Sequence, residues 1–172
     1  MTDLRHGSDS LVRRASYECV RRLVLLEDAA DCIRQEIAKA NDREICGFLM
    51  GYQAATDVHV HCVRPAENIY QDKSSFAISQ QNYMAILRTA GQNESAVGIY
   101  HVHYGSPYPS CPDVRNMTLH SFLWLIVGVA AGPEHLVQRW KCFKLAEGKI
   151  RKVRVVMATL RRRGVLVSVT KG

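Results

Sequence analysis

The apolar run from Phe122 to Gly132 restricts the folds that this chain can adopt. It holds about eleven residues, whereas a membrane-spanning helix needs roughly 20. The run must therefore be buried in a globular core, and two strand-like segments follow it, Leu136 to Leu145 and Lys149 to Val156. The pairs Gly132-Pro133 and Glu147-Gly148 separate the three segments at turns. The C-terminal half thus predicts three consecutive strands of one sheet.

The first two thirds of the chain predict strands and helices in alternation. Period-two and period-3.6 apolar patterns distinguish the two types of element. The predicted strands are Arg22–Leu26, Ile45–Tyr52, Val58–Val63, Phe76–Ile78 and Val97–Val102, and Val165–Val169 is a further one near the C-terminus. The predicted helices cover 27–40, 79–89 and 112–121, with Ser79 as a cap and Pro112 in a first turn. The sum is a single α/β domain with a mixed, mostly antiparallel sheet flanked by two or three helices.

Basic and acidic residues are distributed unevenly along the chain. Residues 149–172 contain eight Lys or Arg and no acid, so residues 1–148 hold 15 basic and 16 acidic side chains of the 23 and 16 in total. We expect a flexible polar arm over 1–18, a catalytic domain over 19–157 and a basic extension over 158–172. The extension fits either a solvated end or a surface that contacts an acidic partner. Without a helix-turn-helix, an RNP-like motif or a Cys/His finger, nothing indicates nucleic-acid binding.

The compartment is predicted from what the N-terminus and the cysteines lack. The N-terminal region offers only Leu23–Leu26 as an apolar block, so we expect no signal peptide, no membrane segment and a cytoplasmic location. The six cysteines show no short ligand spacing. Apart from Cys111, which lies in a loop, they are therefore interpreted as small buried hydrophobic residues and not as a disulfide framework or zinc ribbon.

Two His-x-His pairs are the most informative polar motifs, at 59–61 and 101–103. Residues i and i+2 of a strand face the same side, so either pair could bind one metal ion. His59 and His61 lie in mid-strand between apolar residues, which is typical of a solvent-exposed face, and we expect both to be dispensable for metal binding. His101 and His103 end a buried run. Their spacing alone fits a pair of core or loop histidines equally well.

The loop after His103 leads to a carboxylate, Asp113, at the start of a predicted helix. Asp113 together with His101 and His103 gives one carboxylate and two imidazoles. These three ligands leave one position of a tetrahedral site open, as in catalytic zinc sites. A zinc-bound water has a pKa near ~7, but its proton needs an acceptor that is not a ligand. Glu44 is the candidate, because it begins a strand expected to lie beside the Val97 strand. Taken alone, Glu44 could equally be an ordinary exposed acid.

Together these residues resemble the JAMM metalloproteases, the catalytic branch of the MPN domains. The family pattern is a glutamate leading a Gly-containing strand, then His-x-His, then Ser-x-x-Asp. Here it reads Glu44-Ile-Cys-Gly47, His101-Val-His103 and Ser110-Cys-Pro-Asp113. Asn68 followed by Phe76-x-Ile78 also resembles the segment between the first two motifs. The resemblance covers about residues 22–156 and is closest to compact, stand-alone members of bacterial type.

Some positions depart from the family pattern. Val102 and Tyr104 replace a serine and a proline around the second histidine. The loop between His103 and Ser110 holds six residues, one fewer than the commonest form of the family. Cys111 follows Ser110, but the sequence provides no dedicated base for it, so we do not expect a cysteine nucleophile.

The resemblance implies a mechanism of direct amide hydrolysis by a zinc-activated water. It implies that Zn²⁺ is held by His101, His103 and Asp113. It further implies that Glu44 accepts the water proton and passes it to the leaving amine, while Ser110 donates a hydrogen bond to the oxyanion.

The family's typical substrates are isopeptide or peptide bonds at the C-terminus of ubiquitin or a ubiquitin-like protein. The resemblance therefore implies deconjugation or precursor processing, with activating or conjugating enzymes as companions. Bacterial stand-alone forms act in such systems, including antiviral defence operons, or process sulfur carriers. Two alternatives are a metal-free MPN scaffold and a zinc amidohydrolase for a small amide or sulfur-carrier adduct. An enclosed pocket would favour the small amide, and a shallow groove would favour a protein tail.

Overall fold

A computed structural model of the protein describes residues 17–70, 76–88, 94–131, 136–161 and 164–166. These residues form eight strands and three helices. The strands are β1 (Arg22–Leu26), β2 (Cys46–Ala54), β3 (Asp57–Ala66), β4 (Ser95–Tyr104), β5 (Leu123–Ala131), β6 (Leu136–Ala146), β7 (Lys149–Arg161) and β8 (Gly164–Leu166). The helices are α1 (Glu27–Lys39), α2 (Gln80–Arg88) and α3 (Cys111–Leu119).

The strands form one mixed sheet in the order β1-β3-β2-β4-β5-β6-β7-β8. The pairs β1–β3 and β4–β5 are parallel and the other neighbours in this order are antiparallel. β1 also pairs with β7 in parallel, through Arg22–Leu26 against Arg154–Ala158. This pairing closes seven strands into a barrel. The predicted mixed sheet and helices are confirmed, whereas the closure was not predicted.

One predicted strand is wrong: residues 76–78 have no regular structure. The backbone N–H of Ala77 donates to the Asn68 side chain at 3.0 Å, and the carbonyl of Ala77 accepts from Ile69 at 3.0 Å. These bonds tie the segment to the end of β3 instead of to a sheet neighbour. Phe76 is nevertheless buried, which explains its strand-like sequence pattern.

The predicted termini lie largely outside the described residues. Residues 1–16 of the predicted arm and 162–163 and 167–172 of the basic extension are not described. Tyr17, near the end of the predicted arm, is buried. β8 contains the first two residues of the strand predicted over Val165–Val169. No helix in the described ranges is long and apolar enough to cross a membrane.

Two apolar clusters lie on opposite faces of β2, β4 and β5. On one face, Ile33 and Ile37 of α1 pack with residues such as Leu49, Val102 and Leu125. On the other face, Met117 of α3 packs with residues such as Phe48, Trp124 and Ile126. Alternation along each strand assigns successive side chains to opposite faces. His101 shares the second face with Trp124, which it contacts ring to ring.

Candidate metal centre

The register of β2 against β4 determines where Glu44 lies. Cys46 pairs with His101 in an antiparallel ladder, and the N–H of Val102 donates to the carbonyl of Ile45 at 3.0 Å. Continuing this register by two residues places Glu44 opposite His103. The predicted neighbourhood of the two strands is therefore confirmed.

Gly47 allows β2 to approach its neighbours this closely. A Cβ at Gly47 would lie 2.5 Å from Cε1 of Tyr100 and 2.5 Å from the carbonyl oxygen of Arg64. Carbon atoms are not found at such distances, so any side chain here would push β2 away from β3 or β4. The glycine of the motif thus has a packing role that supports the position of Glu44.

His101 is completely buried under aromatic rings. Its imidazole stacks on Phe76 with a centroid distance of 4.4 Å, and Trp124 meets it edge-on at 6.0 Å. Burial lowers the pKa of His101, although the neighbouring Asp113 opposes this shift. A buried, neutral imidazole is the form that binds a metal ion.

The start of α3 carries Asp113 to the same place. Ser110 caps the helix: its hydroxyl accepts from the N–H of Asp113 at 3.3 Å, while its own N–H and hydroxyl donate to Oδ2 of Asp113 at 2.7 Å each. This reciprocal arrangement is a capping box, with Asp113 in the position usually taken by Glu or Gln. Pro112 lies in the first turn, as predicted. The cap orients the Asp113 carboxylate toward the histidines.

His101, His103 and Asp113 meet at one point. The two Nε2 atoms are 2.9 Å apart, and Asp113 lies 3.2 Å from His101 Nε2 through Oδ1 and 3.3 Å from His103 Nε2 through Oδ2. Ligand atoms around tetrahedral zinc are separated by about 3.3 Å, as zinc–nitrogen bonds of about 2.0–2.1 Å require. The three side chains therefore fit one zinc ion without rearrangement of the backbone.

The neighbouring groups set the protonation states of His103 and Asp113. Nδ1 of His103 lies 2.9 Å from the carbonyl oxygen of Ser106, so it carries the proton and leaves Nε2 free for a metal. Burial alone would raise the pKa of Asp113, but the two neighbouring imidazoles and the hydrogen bond from the Ser110 hydroxyl hold the pKa of this carboxyl well below its usual range. Asp113 is therefore an anion, as a metal ligand must be.

Glu44 lies beside the cluster without belonging to it. Its Oε1 atom is 4.0 Å from Nε2 of His103, and the side chain is largely buried. An open cleft of about 420 Å³ passes over Glu44, His103 and Ser110. The structure thus brings all five predicted site residues together, three as a ligand set and two along the cleft.

Contacts with β5 and β6 hold the shortened loop after His103 in place. A Cβ at Gly128 of β5 would lie 2.7 Å from the carbonyl oxygen of Gly105 and 2.8 Å from the nitrogen of Pro107, so glycine is required there. Tyr108 packs on Phe143, with ring centroids 6.0 Å apart. Its hydroxyl accepts from Lys141 at 2.9 Å. These contacts were not predicted, and their only signal in the sequence is the isolated glycine in an apolar strand.

Asn68 connects the site to the segment that covers it. Its Nδ2 donates to the carbonyl of Glu44 at 3.0 Å, and its Oδ1 accepts from the N–H groups of Tyr70 and Ala77 at 3.1 and 3.0 Å. Ala77 follows Phe76, the ring that stacks on His101. One side chain therefore positions both the start of β2 and the aromatic cover of the metal centre.

Comparison with known proteins agrees with this geometry. The chain matches the family of prokaryotic homologs of the JAB domain over residues 26–143. It belongs to this family. The matched range of the JAB homolog includes Glu44, both histidines of the cluster, Ser110 and Asp113. No curated protein matches the chain.

Two solved structures are similar to this JAB homolog in fold. A solution structure of a Desulfitobacterium hafniense protein has 22% identity and a TM-score of 0.69, covering 81% of this chain and 95% of that one. A solution structure of a Salinibacter ruber protein has 23% identity and a TM-score of 0.56, covering 86% and 97%. At these identities the similarity shows the shared fold alone.

Proposed function

We propose that this JAB homolog is a zinc-dependent peptidase or isopeptidase that hydrolyses the amide bond at the C-terminus of a ubiquitin-like protein. The observation that carries the proposal is the convergence of two imidazoles and a carboxylate beside a second carboxylate that is not one of them. The JAB domain family, which includes metalloproteases, provides a chemical precedent. A metal-free scaffold would have no need of such a ligand set.

His101, His103 and Asp113 would hold the zinc ion. When bound, zinc acts as a Lewis acid that polarises the scissile carbonyl and lowers the pKa of a water toward ~7. His101 supplies its ligand atom from a buried, aromatic environment, whereas His103 faces the cleft. The protein therefore shields the ligand set from one side and leaves the other side open to substrate.

Glu44 provides the general base. Its carboxylate oxygen lies 4.0 Å from His103 Nε2, which is too far for a direct hydrogen bond, but a water in the open position of the ligand set would lie within hydrogen-bond reach of Glu44. Glu44 accepts the proton of the attacking water and then delivers it to the nitrogen of the leaving amine. One carboxylate can do both because Glu44 lines the cleft in which the scissile bond would lie.

Ser110 provides the oxyanion donor. In the structure its hydroxyl proton points to Oδ2 of Asp113. Rotation about one side-chain bond turns this donor toward the cleft that Ser110 lines, where negative charge develops on the carbonyl oxygen. The backbone N–H of Ser110 keeps its own bond to Asp113 during this rotation, so the ligand carboxylate stays in position.

The cleft favours a protein tail over a small amide. It is open to solvent along the loop from His103 to Ser110 and has no enclosing lid in the described residues. Enclosed pockets that bury most of a ligand's surface are typical of small-molecule sites. An extended, narrow C-terminal tail such as that of a ubiquitin-like protein fits an open cleft better.

The proposal is tested with a ubiquitin-like protein fused through its C-terminus to a reporter. We expect cleavage at the junction by the purified protein, loss of cleavage with a chelator and recovery when Zn²⁺ is restored. Glu44→Gln should be inactive, whereas Glu147→Gln, in the exposed β6–β7 turn, should cleave normally. A folded protein without stoichiometric zinc would favour the scaffold alternative, and zinc binding with turnover of only small amides would favour the amidohydrolase.

A further inference from the structure

A second cluster of side chains that can bind a metal lies on β3 and at the residue before β4, and it shares no residue with the ligand set of β4 and α3. His61, Cys62 and Glu94 bring one ligand atom each within 4.8 Å of one another. Nε2 of His61 is 3.0 Å from Oε1 of Glu94, and Sγ of Cys62 is 2.9 Å from the same oxygen. An imidazole, a thiol and a carboxylate thus converge on one point.

A β-bulge makes this convergence possible. Neighbouring residues of a regular strand face opposite sides, so His61 and Cys62 should diverge. In the ladder between β2 and β3, Met50 pairs with Cys62 and Gly51 pairs with Val60, which leaves His61 without a partner in the ladder. A bulge of this kind redirects a side chain. Here it places the His61 ring and the Cys62 thiol on the same side.

Gly51 is the sequence requirement for this bulge. A Cβ at Gly51 would lie 1.8 Å from the carbonyl oxygen of His59, so no other residue fits this backbone. The sequence pattern of alternating residues across 58–63 gives no sign of the bulge. His61 is exposed, as predicted, but the expectation that it is dispensable for metal binding did not take into account its approach to Cys62 and Glu94.

Arg64 orients the carboxylate of the cluster. Its Nη2 atom lies 3.4 Å from Oε2 of Glu94, and the other oxygen, Oε1, faces His61 and Cys62. A charged hydrogen-bond partner on the far oxygen of a ligating carboxylate is the usual outer shell of a metal site. Burial and the Glu94 carboxylate raise the pKa of the Cys62 thiol to about 11, so in the absence of a metal the thiol keeps its proton and donates a hydrogen bond to Glu94.

We propose that His61, Cys62 and Glu94 form a second metal site that binds a divalent ion of the zinc class. Imidazole and thiolate are ligands of zinc and cobalt, and a carboxylate completes a three-residue set. On binding, the ion forms a bond to Cys62 Sγ, and the thiol proton is released to solvent. Nε2 of His61 and Oε1 of Glu94 provide the other two bonds, and water takes the remaining position.

A bound ion would connect two strands that are not adjacent in the sheet. Glu94 precedes β4, and His61 and Cys62 belong to β3, while β2 lies between these two strands in the sheet. An ion that binds all three residues joins β3 to the start of β4 across β2. Because it binds the folded chain, it should raise the melting temperature in proportion to the logarithm of the free-ion concentration.

The test uses Co²⁺, whose bond to a thiolate produces a near-ultraviolet charge-transfer band. The protein is stripped of metal, and the titration is performed in the Asp113→Asn variant so that the ligand set of β4 and α3 is disabled. We expect a band that saturates at one equivalent of Co²⁺ and a metal-dependent rise in melting temperature. The full chain with intact Asp113 should take up one further equivalent of metal without a stronger thiolate band.

Matched variants assign the ligands. Cys62→Ser should abolish the band, and His61→Ala and Glu94→Gln should each prevent its saturation. Cys32→Ser and His59→Ala, which alter the same residue types outside the cluster, should keep it. Arg64→Gln should weaken Co²⁺ binding about 10–100-fold, as loss of an outer-shell partner does.

Two results would overturn the inference. One is a folded Asp113→Asn protein that shows no thiolate band with Co²⁺. The other is a band that survives in Cys62→Ser and disappears in Cys111→Ser, which would assign the thiolate to the residue beside Ser110. Neither result bears on the proposed peptidase, because the cluster on β3 shares no residue with it.

Discussion

Glu44 lies beside the three-residue ligand set and is not part of it. The distance of 4.0 Å to His103 Nε2 predicts that Glu44→Gln keeps its zinc and its fold but loses turnover, because the base is missing and the ligands remain. Elemental analysis, melting temperature and the rate of fusion cleavage measure the three quantities. His101→Ala is the contrast and should lose the zinc of this site. Loss of that zinc in Glu44→Gln would instead make Glu44 a ligand.

Ser110 caps α3 and, in the proposed mechanism, also donates to the oxyanion, and stability and kcat report these two roles separately. Ser110→Ala removes the cap of α3, which costs about 1 kcal/mol of unfolding free energy, and removes the oxyanion donor, which should lower kcat by roughly 10²–10³-fold. A cap alone would change stability and leave kcat nearly constant. Ser110→Thr retains the hydroxyl and the cap, so it should restore both quantities. Near-normal kcat in Ser110→Ala would show that the hydroxyl only orients Asp113.

Asn68 acts at the scale of elements, because it joins the end of β3, the start of β2 and the segment that carries Phe76. Asn68→Ala leaves the Glu44 carbonyl and the Ala77 N–H without this partner, which should lower the free energy of unfolding by about 1–3 kcal/mol. Turnover should fall as well, since Glu44 and the aromatic cover of His101 lose a common anchor.

Asn68→Asp provides the control for that prediction. It keeps an acceptor for the N–H groups of Tyr70 and Ala77 but loses the donor to Glu44. Denaturant unfolding should therefore place its stability between those of Asn68→Ala and the native chain. A fully stable, fully active Asn68→Ala would show that the Glu44 strand and the Phe76 segment hold their positions independently.

Elements with a regular apolar period could be predicted from the sequence, and segments held by side chains could not. β1 begins and ends at the predicted residues, and the strands around Ile45 and Val97 lie side by side as expected. The segment 76–78 has the composition of a strand, but its backbone bonds go to Asn68 and Ile69. The bulge at His61 escaped prediction for a related reason: it depends on the close contact between Gly51 and the His59 carbonyl.

At the scale of the whole molecule, the local patterns do not reveal that the sheet closes. β1 has only five residues, yet it pairs with β3 on one side and with β7 on the other. Nothing within Arg22–Leu26 distinguishes a strand with two neighbours from an edge strand, because both are apolar and short. The contacts of Lys144 could not be predicted from the local sequence either. Lys144 is buried and its ammonium group donates to the carbonyls of Glu18 and Val20, which connects β6 to the chain before β1.

The excess positive charge of the molecule lies in residues 149–172, a segment that begins near the cleft. In β7 the side chains of Arg151, Lys152 and Arg154 are exposed and that of Val153 is buried, as predicted for this strand. The Lys152 ammonium lies 3.4 Å from the hydroxyl of Tyr108, which lines the cleft. The strand therefore carries positive charge to the side of the proposed active site.

Arg161 at the end of β7 and the two residues after it, Arg162 and Arg163, are three consecutive cations whose side chains lie outside the described residues. Because the first 148 residues are nearly neutral, three adjacent cations exceed the acids available to them, and we predict that they attract an acidic substrate or companion enzyme. Replacing all three with Glu should lower kcat/KM at low salt and leave kcat unchanged, since steering alters association and not chemistry. Replacement with Gln should produce a smaller decrease. Both differences should vanish near roughly 0.5 M salt, where screening leaves a range of a few ångströms; an unchanged kcat/KM at low salt would mean that the cluster is only a solvated end.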